Sequence, residues 1–256
     1  MLNTVVAKIR SILNRLGIDV VRYQEHKISY APDFSDSNVR ICEAVKAYTM
    51  TTPERVNSLI EATEYIVKNN IDGAIVECGV WKGGSIMAVM MTLKQLSVEN
   101  RDLYLYDTFA GMNAPTDQDI SFQGEKAVDQ FNETKFSNDS SEWCLSSLEE
   151  VTQNVLSTGY PLERIHFIQG KVEDTIPAKM PGKIALLRLD TDWYESTKHE
   201  LHHLFPLLQQ NGVLIIDDYG FWKGSRKAVD EYISDKNICI LLNRIDESRI
   251  AIKTQV

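Results

Sequence analysis

Apolar residues along this chain fall into helical repeats and short unbroken runs, and the way the two alternate predicts the architecture. Residues 5–16 place Val5, Val6, Ile9, Ile12, Leu13 and Leu16 at helical spacing with Lys8, Arg10 and Arg15 between them, the pattern of an amphipathic helix. A second helix is predicted from Thr52 and Pro53, a capping hydroxyl followed by a first-turn proline, to about residue 68, with Val56, Leu59, Ile60 and Ile66 on its apolar face. Short apolar runs then alternate with longer helical patterns. Strands are predicted over 74–78, 103–106, 165–168, 184–189, 213–216, 238–243 and 250–253, and helices over 83–96, 145–156, 194–208 and 224–234. Such alternation predicts an α/β fold built on a parallel, doubly wound sheet. Residues 111–143, rich in Asn, Asp, Ser, Thr and Gln, are too long for an ordinary connection; a segment of this kind is a functional lid or a disordered loop.

Composition narrows the class. The chain has 256 residues, 43% apolar and 25% charged, enough to build a full core. Purely apolar runs such as 213–216 and 238–242 fall far short of the roughly 20 residues that a membrane helix requires. Lys8 and Arg10 interrupt the first helix, so it does not read as a secretory signal; packing on its own body or on a sister subunit in a homo-oligomer is the expected use of its apolar face. A formal charge of -9 removes the electrostatic attraction that dominates nucleic-acid affinity. Cys42, Cys78, Cys144 and Cys239 are scattered with no CxxC pair, which fits reduced thiols and a cytoplasmic location rather than a zinc cluster or a disulfide framework.

In an open parallel sheet, ligands bind beyond the carboxyl ends of the strands where the strand order reverses. After the first predicted strand comes ECGVWKGGS, residues 77–85, with Gly79 for a tight turn and Gly83 and Gly84 at a helix start. Small residues there admit a ligand close to the backbone, and a helix start supplies free amide donors. The loop is not GxGxxG, and Glu77 beside it favours a cationic ligand over a pyrophosphate. Asp107 follows the second strand, 23 residues beyond Gly84, where a carboxylate accepts from ribose hydroxyls, so a nucleoside is expected. The fourth strand ends in LRLDTD, with Asp190 and Asp192, and the fifth in LIIDDY, with Asp217 and Asp218. Carboxylates converging on one end of a sheet repel unless a cation lies between them, and magnesium takes oxygen ligands. The bland alternative is that Asp192 and Asp218 cap the helices that follow. Trp81, Trp193 and Trp222 each follow a strand end and either wall a pocket or pack inside.

His199-Glu200-Leu201-His202-His203 reads HExxH, a zinc-protease spacing. Leu201, Leu204, Phe205 and Leu208 define the apolar stripe of that helix, with His199 and His203 on the opposite face. Solvent-facing histidines are expected there, not a zinc site.

The runs YTMTTPERVNSL, VECGVWKGGS, YDTFAGM, LLRLDTDWYEST and LIIDDYGFWKGSRKAVDEY together resemble the macrocin O-methyltransferase (TylF/MycF) family, over roughly residues 48–256. The resemblance implies a class I methyltransferase (Rossmann-like) fold: a mostly parallel seven-stranded sheet with helices on both faces, over 51–256, behind a helical N-terminal extension over 1–50. It implies S-adenosylmethionine and magnesium as cofactors and a sugar hydroxyl of a glycosylated natural product or polysaccharide precursor as acceptor. By that likeness Thr49, Met50, Thr51, Glu77, Gly79, Trp81, Ser85, Asp107, Gly170 and Asp190 contact the cofactor. Asp190, Asp217 and Asp218 are the metal ligands, and Asp190 or Asp192 is the general base. Where the family carries an aromatic residue after the third strand, this sequence reads QGKVEDT, with Lys171 and Val172. The competing expectations are a nicotinamide-dependent oxidoreductase on a similar sheet, disfavoured by Glu77 and the missing GxGxxG, and an inactive methyltransferase-like scaffold, disfavoured by the intact carboxylates and glycine loop.

Overall fold

The structure is a computed structural model that describes residues 10, 13–15, 17, 18 and 30–254. The helix expected over 5–16 lies largely outside the described residues; Arg10, Leu13 and Asn14 are helical. The chain divides into two compact units, Met1–Pro32 and Asp33–Val256. The boundary thus lies upstream of residue 50, because helix α1 (Asp36–Val45) belongs to the second unit. Its Ile41 and Val45 are fully buried, and its Asn38 donates to Asn57 of helix α2 (Pro53–Lys68) at 2.8 Å. Helix α2 starts as its residues dictate. Thr52 is extended, its hydroxyl accepts from the Arg55 amide at 3.3 Å, and Pro53 fills the first turn where no amide partner is needed.

The remaining elements follow in the order β1 (Ala74–Cys78), α3 (Gly84–Gln95), β2 (Leu103–Asp107), α4 (Ala127–Thr134), α5 (Leu148–Leu156), β3 (Ile165–Gln169) and α6 (Val172–Thr175). After these come β4 (Ile184–Leu189), α7 (Tyr194–Leu204), β5 (Leu208–Ile216), α8 (Lys223–Asp235), β6 (Asn243–Ile245) and β7 (Ser248–Ile252). The seven strands form one sheet in the order β3-β2-β1-β4-β5-β7-β6. Strands β1 to β5 pair in parallel, whereas β7 runs antiparallel to both β5 and β6. Every residue of β1 and β4 is buried, as a strand covered on both faces requires. The order reverses between β1 and β4, which places the binding crevice beyond their carboxyl ends.

Three differences from the periodicity have local causes. Helix α7 stops at Leu204 instead of 208 because Pro206 lacks an amide hydrogen; a 3-10 turn, Phe205–Leu207, leads straight into β5. Helix α5 begins at Leu148 instead of 145 because the Ser147 hydroxyl caps it, accepting from the Glu150 amide at 3.2 Å. The strand expected over 238–243 starts only at Asn243. Ile238, Ile240 and Leu242 alternate as a strand would, but they pack on the core without a ladder partner, and the pairing is made across the Asp246–Glu247 turn.

Residues 111–143, expected as a lid or a disordered loop, form an ordered segment. They contain α4 and the bridges Ile120↔Lys126, Ser121↔Trp222 and Lys135↔Ser141. Buried Asp119 anchors the segment: one carboxylate oxygen accepts from the Thr116 amide, and the other from the Tyr194 amide at 2.8 Å. That second bond caps α7, whose own N-cap residue, Trp193, has no capping side chain. Trp193 and Trp222 are buried against Ala127, and Trp143 stands edge-on to Trp193 at 5.5 Å between ring centroids.

Candidate active site

Two adjoining cavities open at the carboxyl ends of the parallel strands. The larger, of about 1090 Å³, is lined by Tyr48 to Thr51, Arg55, Trp81, Ser85, Trp143, Asp190, Asp192, Asp217, Asp218 and the lid residues Glu125, Asp129 and Glu133. The smaller, of about 130 Å³, is lined by Gly79, Asp107, Thr108, Met112 and Gly170 to Glu173. Met50, Trp81, Cys144, Asp190 and Asp192 line both.

Two glycines set the floor. Gly79 has φ +83°, and a Cβ there would stand 2.0 Å from the Asp190 carbonyl oxygen, so only glycine lets the end of β4 lie so close. Gly84 donates its amide to the Tyr48 carbonyl at 2.9 Å, and a Cβ there would lie 2.6 Å from that same group. Its smallness therefore admits the Tyr48–Thr51 backbone rather than a ligand. Trp81 takes φ +46°, an uncommon conformation for a bulky residue, in the turn between β1 and α3.

Asp107 is already well engaged. One of its oxygens accepts from the Val80 and Trp81 amides at 2.7 and 3.0 Å, and the other from Phe109 at 2.7 Å. A carboxylate offers about four acceptor positions, so about one, which the Thr108 hydroxyl approaches at 3.5 Å, remains for a ligand at Asp107 rather than the two that a pair of ribose hydroxyls requires.

The centre of the site is an arginine that composition and motif spacing left unassigned. Arg188 is 3% exposed, in the middle of the apolar run IALLRL. Its guanidinium donates to Glu77 at 2.8 Å, to Asp190 at 2.6 Å and to Asp217 at 2.8 Å. A more distant bond reaches Thr51 at 3.3 Å. Register places Glu77 directly opposite Arg188 across the β1–β4 pair. Glu77 consequently lines neither cavity. Burial pushes its carboxyl up to about 7 against the attraction of Arg188. The expected role of Glu77 in repelling a pyrophosphate loses its force, since Arg188 offsets its charge inside the sheet. The signal was legible in principle: a lone cation in a doubly buried strand has to meet carboxylates.

The four aspartates separate into two groups. Asp217 gives one oxygen to Arg188 and the other to Arg55, at 2.7 Å, while Arg55 also holds Asp246 and Glu247 of the β6–β7 turn. Asp190, Asp192 and Asp218 instead bring one carboxylate oxygen each to within 4.8 Å of one another. The resemblance implied Asp217 in that trio; in this geometry the two arginines occupy it and Asp192 stands in its place. Loss of water on burial, together with mutual repulsion, holds the Asp190 and Asp218 carboxyls well above the usual range and pushes Asp192 up to about 7. One Asp218 oxygen is buried with no hydrogen-bond partner among the described residues. Three crowded oxygen donors with one orphaned atom fit a hard divalent cation.

His199 and His203 are half-exposed, as expected, and His199 lies 3.1 Å from the Ile176 carbonyl. Glu200, between them, is fully buried and faces the other way. The HExxH spacing therefore gathers no ligand set, and among the described residues the aspartate trio is the one cluster of three acid, His or Cys donors close enough to share a metal ion.

A doubly wound sheet with strand order 3-2-1-4-5-7-6 and a split cavity above its switch point defines a Rossmann-like methyltransferase fold. The O-methyltransferase NovP superposes with a TM-score of 0.75 at 24% identity, over 86% of this chain and all of NovP. The family model for macrocin O-methyltransferase (TylF) matches residues 10–253, and the chain belongs to that family. Mycinamicin III 3''-O-methyltransferase of Micromonospora griseorubida is 31% identical over 204 residues, 80% of this chain and 77% of its own length. Demethyldecarbamoylnovobiocin O-methyltransferase of Streptomyces niveus is 29% identical over 204 residues, 80% and 74% of the two chains. The protein is an O-methyltransferase.

Proposed function

We propose that this enzyme moves the methyl group of S-adenosylmethionine to a sugar hydroxyl of a glycosylated small molecule, assisted by magnesium. The relatives named for mycinamicin III and demethyldecarbamoylnovobiocin support a glycoside acceptor. The observation that carries the reading is the convergence of Asp190, Asp192 and Asp218 on the seam between the two cavities.

In this reading the smaller cavity holds the nucleoside, with Asp107 accepting from one ribose hydroxyl and Gly170 to Val172 beside the base. Met50, Trp81 and Ser85 border the methionine end, and Thr49 and Thr51 close it from the segment that Gly84 admits. Magnesium, held by Asp190, Asp192 and Asp218, would lower the pKa of a bound hydroxyl and fix its direction. The acceptor occupies the larger cavity under the lid. Arg188 pins one oxygen of Asp190, whereas among the described residues no arginine pairs with Asp192, so Asp192 is the carboxylate available to take the acceptor's proton. The acceptor oxygen forms its bond to the methyl carbon as the carbon–sulfur bond breaks, leaving the methyl ether and S-adenosylhomocysteine. The methyl is already activated by positive sulfur, so holding oxygen, carbon and sulfur in line is most of what the protein contributes.

Two measurements test this. Calorimetric titration should show binding of S-adenosylhomocysteine and none of NAD. Mass spectrometry of glycosides incubated with protein, magnesium and methyl-labelled cofactor should show label on the sugar. Cofactor binding with no label on any sugar of a broad panel would remove the enzymatic reading.

A further inference from the structure

Glu200 takes no part in the reaction above, yet it is among the most deeply buried charged residues of the molecule. It sits on the inner face of α7 beside Leu201 and Leu204, with no exposed surface. One oxygen accepts from the Thr191 hydroxyl at 2.9 Å, and the other is buried without a partner among the described residues. The Cys78 thiol, at the end of β1, lies beside it. Both residues belong to the site. Thr191 lies between Asp190 and Asp192, and the Cys78 carbonyl accepts from the Asp190 amide at 2.8 Å.

That location matters because Asp192 has a backbone needing support. Its φ is +67°, in the left-handed region, where a non-glycine residue costs on the order of 1 kcal/mol or more and persists only when its surroundings over-determine it. The bonds at Thr191 supply the constraint. Its side chain is held by Glu200, and its carbonyl accepts from the Trp193 amide at 2.7 Å and the Ser196 hydroxyl at 3.4 Å. Removing the side-chain bond frees Thr191 to rotate and Asp192 to relax toward an ordinary conformation, which carries its carboxylate away from Asp190 and Asp218.

We propose that Glu200 is a positioning residue: through Thr191 it locks the Asp190–Trp193 turn in the shape that brings the Asp192 carboxylate to the site. Its reach as far as the metal rests on the reading above; its hold on the turn does not. What Glu200 supplies is an acceptor oxygen, so Glu200→Gln, which keeps one, should behave as the parent does. Glu200→Leu keeps the volume and removes the acceptor, and Thr191→Val removes the donor.

Hydrogen exchange followed by mass spectrometry on the peptide spanning 188–196 reads the turn directly. Exchange of the 190–193 amides should quicken at least about tenfold in Glu200→Leu and in Thr191→Val. It should stay within about twofold in Glu200→Gln, and the Leu/Val double variant should show no further gain, as for two groups acting through one bond. Manganese titration, read by electron paramagnetic resonance, should show weakening of about 10–100-fold in the same two variants, the range for losing an outer-shell partner. Binding of S-adenosylhomocysteine should change little. Unchanged exchange in a Glu200→Leu protein with a native circular dichroism spectrum would overturn the proposal, as would Glu200→Gln behaving like Glu200→Leu. If the parent protein binds no manganese, the metal reading falls while the exchange result still decides the role of Glu200.

Discussion

The floor and the roof of the larger cavity are built on opposite plans. In the floor, Arg188 and Asp217 are buried at the ends of β4 and β5, Glu77 is buried behind them on β1, and a single guanidinium joins all three. In the roof, Glu125, Asp129 and Glu133 recur every four residues along α4 and its approach, exposed to solvent. The difference separates two tasks. Groups that must keep one geometry are fixed by strands and by bonds with no water to compete, while the groups proposed to meet an acceptor stay solvated and adaptable on an insertion anchored through Asp119 and the tryptophan cluster.

Four measurements break or sharpen that contrast. The largest effect is expected from the edge of the floor where Asp190, Asp192 and Asp218 are proposed to hold magnesium. Chelation with EDTA should lower labelled-methyl transfer by about 10²-fold or more, the scale of losing one preorganised electrostatic group, and added magnesium should restore it. Asp218→Asn should show the same loss with no recovery on adding magnesium. Full turnover in chelator would detach the aspartate trio from any metal role.

Next is the hub. Arg188→Leu leaves Glu77 and Asp217 buried with one cation fewer, and urea denaturation should report a loss of about 3–5 kcal/mol, the cost of breaking a buried ion pair from one side. A loss under 1 kcal/mol would mean that Arg55 alone can hold Asp217 and that Glu77 is readily protonated. Gly79→Ala should follow: its methyl would meet the Asp190 carbonyl in a left-handed turn, so thermal unfolding should show a destabilisation of about 1–3 kcal/mol, and titration should show weakened S-adenosylhomocysteine binding.

The smallest effect is expected from the roof. Asp129→Asn and Glu133→Gln should leave stability and S-adenosylhomocysteine affinity unchanged and raise the acceptor's KM roughly two- to threefold, the size of one solvent-exposed hydrogen bond. If either variant lost cofactor affinity as well, the division between floor and roof would not hold.

Much of this was legible in the residues. Short apolar runs and helical periodicity place β1 to β4 and α2, α3 and α8 within a few positions, because apolar faces have to be buried whatever the fold. Thr52 with Pro53 marks a helix start, and LRLDTD and LIIDDY mark where acids leave the sheet, since both signals act over three or four neighbouring residues. Partnership across the sheet was not legible. That Arg188 faces Glu77, that Asp217 is taken by two arginines so that Asp192 joins Asp190 and Asp218, and that Glu200 turns inward while its histidine neighbours turn outward all depend on register and helix rotation. Only packing sets those quantities: a strand's neighbour is chosen by topology, and a carboxylate's charge is balanced by whatever the fold brings beside it.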